Sequence, residues 1–281
     1  MAKRKGIVKE STVRELEKRA KSVRCNIIKM VSEAGSGHPG GSLSVVEILV
    51  ALYFMRLNHH PEEPHWPDRD RVIVSKGHAA PALYAVLAEC GYLPKSELLT
   101  LRKFGARLQG HPDMTRMSGL EMSTGSLGQG FSVAVGMAIA GKLDKKAYRV
   151  YAILGDGELQ EGEVWEAAMA GAHYGLDNLC VIVDFNKLQI DGRVQDIMNP
   201  EPIPDKWKAF GWRVREINGH DLVEIISALD WAAEAEGKPS AIIAHTVKGR
   251  GVSFMSGSVK WHGVAPSPEE ARRALKELES S

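Results

Sequence analysis

Apolar residues along this chain fall into two kinds of run that alternate. Short β-branched stretches read as strands: RVIVS (71–75), YRVYAIL (148–154), LCVIVD (179–184), WRVREI (212–217) and AIIAHT (241–246). Between them, apolar positions recur at helical spacing near 80–90, 129–143, 163–174 and 221–236. The runs near 150 and 180 are apolar almost throughout, as strands covered on both faces should be. This alternation predicts an α/β fold: a doubly wound parallel sheet with helices on both faces. A last helix is announced by Ser267-Pro268-Glu269-Glu270, which reads as N-cap, proline at the first helical position and capping-box glutamate. At the other end, Val13, Leu16, Ala20, Val23 and Ile27 mark one packed stripe on an otherwise solvated helix, within a helical arm over about residues 1–34. No repeat or low-complexity tract interrupts the pattern, and PEEPHWP (61–67) is too short for an interdomain linker. A single domain over 1–281 is expected.

Composition narrows the function. With 44% hydrophobic and 25% charged residues the chain resembles an ordinary globular protein, and a net charge of +1 argues against nucleic acid as the main partner. The first 24 residues carry nine Lys/Arg against three Glu, which a solvated helix face accounts for. Cys25, Cys90 and Cys180 are widely spaced with no CxxC, so neither a disulfide framework nor a structural zinc site is expected. The basic N-terminus lacks a following apolar segment, and no run approaches 18 apolar residues. A cytoplasmic protein without a membrane partner is the expectation.

In parallel sheets, ligands bind beyond the carboxyl ends of the strands. The loops after Ser75, Leu154, Asp184 and Thr246 are therefore the places to look for chemistry. After the second strand comes Gly155-Asp156-Gly157, followed by acids and no basic residue, in ILGDGELQEGEVWE (153–166). On its own, GDG reads as readily as a tight turn with a helix-capping Asp. The next strand ends in DFNKLQI (184–190) and places Asn186 at the same rim, 30 residues after Asp156. Asp156, Asn186 and the backbone carbonyl of Leu188 make a plausible half-shell for a hard cation such as Mg²⁺, which prefers to complete its shell with water and phosphate. Glu158 and Glu163 read as solvated or helix-capping.

Histidine placement is the second signal. Glycine precedes His38, His78, His111 and His220, four of the ten histidines, and follows His262. Such histidines sit on loops, where function concentrates. His220 reads equally well as part of a turn, with GHD capping the helix that starts near Leu222. His59, His60, His65, His173 and His245 read as surface or core residues. A third signal, STGSLGQG (123–130), is a glycine-rich turn opening a helix, suited to close backbone approach to a ligand. It lacks the Gly-Lys-Ser/Thr ending of a Walker loop and the βαβ setting of a dinucleotide fingerprint. The Gly/Ala-rich helix behind it favours tight packing.

Together these residues resemble the transketolase family, thiamine-diphosphate enzymes that move two-carbon ketol units between sugar phosphates. The resemblance runs in order along nearly the whole chain: SGHPGGSLS (36–44), VSKGHAAPALYA (74–85), QGHPD (109–113), STGSLGQGFSVAVGMA (123–138), GDGELQEGEVWEAA (155–168), DFNKLQIDG (184–192), TVKGRGVSFM (246–255) and WHG (261–263). It implies a thiamine-diphosphate-binding fold, with Asp156, Asn186 and the Leu188 carbonyl holding Mg²⁺ or Ca²⁺ against the cofactor diphosphate. Asn186 and the Gly157 N–H would also touch the cofactor. His78 and His262 would contact the diphosphate and the reacting region, while His38 and His111 would bind substrate oxygens and assist proton transfer. Gly125 and Leu127 match cofactor-lining positions, and Glu161 an acid linked to communication between cofactor sites. Ser126 replaces the usual proline, and Phe185 stands where many members are polar.

Single-chain members are about twice this length and supply, from a second domain, the glutamate that activates the cofactor. The resemblance therefore implies an N-terminal subunit that is inactive alone. Its partner would be a C-terminal subunit, carrying pyrimidine-binding and C-terminal domains, in a two-plus-two heterotetramer acting on sugar phosphates in the pentose phosphate pathway. Alternatives are a split transketolase for another sugar, such as a sulfosugar or an unphosphorylated ketose, the α-subunit of a 2-oxo acid dehydrogenase, and a non-catalytic module on the same fold.

Overall fold

The computed structural model describes residues 8–280. Seven strands are β1 (Arg71–Val74), β2 (Val150–Gly155), β3 (Leu179–Phe185), β4 (Leu188–Gln189), β5 (Gly192–Arg193), β6 (Arg213–Asn218) and β7 (Ser240–His245). Five of them form one parallel sheet in the order β1-β2-β3-β7-β6, and β4 and β5 make a small antiparallel ribbon. All five expected strands are present, each within two residues of its expected bounds. Within the five-stranded sheet β6 is the least buried; it is an edge, as is β1, which is nevertheless buried at three of its four positions.

The helices are α1 (Glu10–Ala34), α2 (Pro39–Ser44), α3 (Val46–Ala51), α4 (Ala80–Cys90), α5 (Gln129–Leu143), α6 (Gly162–His173), α7 (Val194–Ile197), α8 (Ile203–Ala209), α9 (Leu222–Ala233) and α10 (Pro268–Ser280). They cover both faces of the sheet, and alternate strand residues divide between two apolar layers. Tyr151 and Ile153 of β2, with Cys180 and Ile182 of β3, pack under α1, α3, α4, α9 and α10. Val150, Ala152, Leu154, Val181 and Val183 face α5, α6 and α8, where Phe131 and Trp207 are fully buried. Truncating a central residue such as Ile153 to alanine would cost about 2–5 kcal/mol.

In α1, Leu16, Ala20, Val23 and Ile27 are buried as the stripe requires. From Val23 onward the burial widens to include Arg24, Ile28, Met30 and Val31, so the described part of the N-terminal arm is packed against the core. Residues 1–7 of that arm lie outside the described residues. The capping box of α10 is formed: Ser267 N–H donates to Glu270 Oε2 at 2.9 Å, and Glu270 N–H to Ser267 Oγ at 3.2 Å. α9 begins at Leu222, capped by Asp221, whose Oδ1 accepts from Val223 and Glu224 N–H. It ends at Ala233, earlier than expected, and Gly237 in the left-handed region follows in the loop. The three cysteines are free thiols. Among the described residues no helix is long and apolar enough to cross a membrane.

Candidate active site

Because the sheet is parallel, β1, β2, β3 and β7 deliver their carboxyl ends to one rim. β1 continues through Ser75 and Lys76 into the turn Gly77–Ala79, β2 runs into Asp156, β3 into Asn186 and β7 into Thr246 and Lys248. At the centre lies Asp184, in register with Gly155 and Ala244 and fully buried. It accepts from Ser44 Oγ (2.7 Å), Asn186 Nδ2 (2.8 Å), Lys76 Nζ and Thr246 Oγ1. Burial opposes its ionisation, but Lys76 and these donors outweigh it and hold the carboxyl below its ordinary value. One buried anion thus ties four segments together at the mouth of the sheet.

Beside it, Asp156, Asn186 and Leu188 come together on a cavity of about 250 Å³ also lined by Leu127, Gly157, Glu161, Lys76, Lys248 and His262. Asp156 is 1% exposed. Its Oδ1 accepts from Gly157 N–H at 2.9 Å and its Oδ2 from Lys187 N–H. Burial, and secondarily Asp184, pushes its carboxyl up to about 7. Asn186 Oδ1 accepts from Leu188 N–H at 3.1 Å, while the Leu188 carbonyl accepts from Lys248 Nζ at 3.0 Å. A buried carboxylate with no ion pair among the described residues, beside two neutral oxygens, is a donor set suited to a divalent cation with an affinity for oxygen. The Gly157 amide, expected to face a diphosphate, is engaged by Asp156 in this structure.

The four expected histidines converge. Ring centroids separate His38 from His78 by 5.6 Å, from His262 by 5.8 Å and from His111 by 5.9 Å, and His78 from His262 by 5.0 Å. Glycine makes the approach possible: a Cβ on Gly41 would lie 3.1 Å from His78 Nε2, and one on Gly125 3.1 Å from His111 Cγ. Burial, reinforced by neighbouring cations, lowers all four: His38 to about 4, His262 to about 3, His78 well below its ordinary value and His111 in the same direction. At neutral pH this is a cluster of uncharged imidazoles, each offering one donor and one acceptor. His262 Nδ1 is buried with no hydrogen-bond partner among the described residues. A buried unsatisfied ring nitrogen on the cavity wall, flanked by the buried cations Lys76 and Lys248, suits a ligand rich in anionic oxygens.

Other residues fall differently from expectation. Glu158 is 2% exposed, so it is neither solvated nor a simple cap. Its carboxylate accepts from Ser75 Oγ, Gly128 N–H (2.9 Å) and Gly155 N–H (3.0 Å), joining the ends of β1 and β2 to the turn before α5. Glu163, in the first turn of α6, accepts from Ser132 Oγ. Glu161 is exposed at the lip, at the N-cap of α6. His220 is structural: Nε2 accepts from Val247 N–H at 2.8 Å and Nδ1 faces Glu47 Oε2 at 3.1 Å. Lys76, Lys248, Asp184 and Glu158 are site residues that sequence reasoning misses, although KGH and TVKGRG carry both lysines.

Residues 16–279 match the family described as Transketolase, thiamine diphosphate binding domain. The 6-deoxy-6-sulfo-D-fructose transketolase subunit SqwG of Clostridium sp. (strain MSTE9) is 48% identical over 94% of this chain and 96% of its own length. One of the subunits of the apulose-4-phosphate transketolase from Phocaeicola vulgatus is 43% identical over 95% of this chain and 94% of its own. The crystal structure of transketolase from Campylobacter jejuni superposes with a TM-score of 0.90 at 36% identity, covering 95% of this chain and 43% of that one. With that similarity over a shared sheet and a site assembled at its carboxyl rim, the chain belongs to the transketolase family, as its thiamine diphosphate binding domain.

Proposed function

We propose that this chain is the diphosphate-binding subunit of a two-subunit transketolase. It transfers a two-carbon ketol unit from a ketose phosphate to an aldose phosphate, with thiamine diphosphate and Mg²⁺ or Ca²⁺. The observation that carries this reading is the convergence of four uncharged imidazoles on the edge of a cavity that also holds Asp156, Asn186 and Leu188. Asp156 Oδ, Asn186 Oδ1 and the Leu188 carbonyl would hold the metal; Lys76, Lys248 and His262 would face the diphosphate. Leu127 and Gly125 would line the thiamine, and Glu161, at the lip, faces a second subunit. When bound, the cofactor supplies the electron sink. This chain's part is to bind, to exclude water and to position donors. His38, His78, His111 and His262 each present a neutral ring nitrogen that can donate to, or accept from, the sugar oxygens as a proton moves.

The activating carboxyl and the remaining walls would come from a C-terminal subunit with pyrimidine-binding and C-terminal domains, in a two-plus-two heterotetramer in the cytoplasm. The near full-length match to relatives named as subunits supports this arrangement. Those relatives also favour a second reading of the substrate. The names of two of them specify a sulfofructose and apulose 4-phosphate, so a donor outside the pentose phosphate pathway fits this chain equally well. The four histidines are suited to sugar hydroxyls and the carbonyl, common to every ketose, and do not discriminate its far end.

The test is reconstitution. This chain alone should show no ketol transfer; mixed with its partner subunit, thiamine diphosphate and Mg²⁺ it should gain it. Robust transfer by the chain alone would sink the two-subunit reading. Comparing a ketose phosphate with 6-deoxy-6-sulfo-D-fructose as donor decides between the two substrates.

A further inference from the structure

Arg102 is a cation beside the histidine cluster, and among the described residues no carboxylate forms an ion pair with it. It follows the turn Lys95–Thr100 and has φ 60°, in the left-handed region that non-glycine residues seldom occupy. Its N–H donates to Leu108 O at 2.8 Å and closes the loop that leads into Gly110 and His111. The guanidinium then folds back over Gly110, where a Cβ would lie 2.8 Å from Cζ and Nε. A side chain at position 110 would therefore displace the Arg102 guanidinium from this seat. Nη1 donates to Ser36 Oγ at 2.9 Å; Nη2 points to Gly110 O at 3.5 Å and His38 Nδ1 at 3.4 Å; Nε is buried with no hydrogen-bond partner among the described residues.

Arginine can only donate. Facing Arg102, His38 Nδ1 must therefore carry the lone pair and Nε2 the proton. The Nε2 edge lies beside Gly263, next to His262. We infer that Arg102 is a positioning residue that fixes His38 as the Nε2–H tautomer, so that His38 meets the ketose as a neutral hydrogen-bond donor. The role of the ketose rests on the transketolase reading; the tautomer does not. The groups around His38 agree with it. Arg102 and His111 face it from the loop ending at 111, His78 from the turn after β1, His262 from the turn Val259–His262 and Lys248 from the turn after β7. None is a carboxylate, so nothing there stabilises an imidazolium. A carboxylate at position 102 would invert the chemistry, selecting Nδ1–H and favouring a charged ring.

The test uses the full-length chain labelled with ¹⁵N and needs neither partner nor cofactor. Long-range ¹H–¹⁵N correlation reports which ring nitrogen of each histidine is protonated, with His38→Gln assigning the His38 signals. The wild type should show His38 protonated at Nε2 and bare at Nδ1. Arg102→Met should introduce an Nδ1–H population and move the His38 titration upward toward the ordinary imidazole range; Arg102→Lys, which keeps charge and donor, should restore both in part. In the reconstituted complex, Arg102→Met should also lower kcat/KM by about tenfold or more and shift its acid limb to higher pH. An Nδ1–H tautomer in the wild type overturns the inference, and that measurement stands even if the methionine variant fails to fold. Unchanged tautomer and titration in folded Arg102→Met overturn it too. Failure of the transketolase reading would look different: no ketol transfer by any complex, with the His38 spectra as described.

Discussion

Lys248 Nζ lies 3.0 Å from the carbonyl oxygen of Leu188. A buried ammonium, 2% exposed, therefore stands on the cavity wall beside an oxygen proposed as a metal ligand. Removing it takes a cation from the pocket proposed to hold a diphosphate. Lys248→Met should weaken thiamine diphosphate binding to the reconstituted complex by about tenfold or more, the scale of one charge-assisted contact. Calorimetric titration at fixed Mg²⁺ checks this; an unchanged affinity would mean that Lys248 serves only to hold the Leu188 loop.

Asp156 is the energetic weak point of the cavity. Its carboxylate is buried near Asp184 with hydrogen bonds but no ion pair among the described residues, an arrangement that destabilises the protein and that the proposed cation would relieve. Asp156→Asn should therefore raise the melting temperature of the metal-free chain by a few degrees while abolishing metal-dependent cofactor binding. Thermal melts with and without Mg²⁺ and cofactor separate the two effects. A variant that is destabilised and still binds would refute the metal assignment.

Glu158 joins three loops from beneath. Replacing it with alanine orphans Ser75 Oγ and the Gly128 and Gly155 amides, and should cost about 3 kcal/mol or more. Glu158→Gln, which keeps acceptor oxygen and volume, should cost less. Urea denaturation of both variants gives the comparison, and equal, small losses would show that water replaces the carboxylate.

The histidine cluster sets an acid limit. Its members hold their folded pKa values below the ordinary imidazole value, so below about pH 6.5 the unfolded chain binds protons that the folded chain refuses. Stability should be fully expressed above that pH and fall as pH drops toward the His38 value of about 4. Melting temperatures between pH 8 and pH 5 follow the loss, and His38→Asn should flatten part of the slope. Asp156, whose carboxyl is raised to about 7, works in the opposite sense as it protonates, so the comparison with His38→Asn decides: an identical slope in that variant would contradict the neutral cluster.

Much of this architecture is readable from residue order because its signals are local. β2 and β3 are buried at every step and, Asp184 apart, carry no charge, since both faces are covered, and the glycines before His38, His78 and His111 mark them as loop residues. The spacing of Asp156 and Asn186 is that of one strand-helix-strand unit. By contrast, α2 and α3 are buried on all sides, so they show no amphipathic period to read. Lys76, Lys248 and Glu158 give no signal of their own because lysine and glutamate are normally surface residues. Only the tertiary fold, which sets Asp184, Leu188 and the amides of Gly128 and Gly155 against them, shows that they are interior. Arg102 has no sequence signature at all; its role depends on a backbone angle and on a histidine 64 positions away.

The network around Asp184 also bears on exchange with solvent. Ser44, Lys76, Asn186 and Thr246 meet there at the end of the central strand β3, so freeing any one of them disturbs the middle of the β-ladder. Amide protons of β2 and β3 next to the site should exchange with deuterium on the timescale of global opening, whereas those around exposed Glu161 and Ile190 should exchange early. The inner wall of the pocket is thus expected to be as durable as the fold itself, and what the proposed second subunit would have to quieten is the rim.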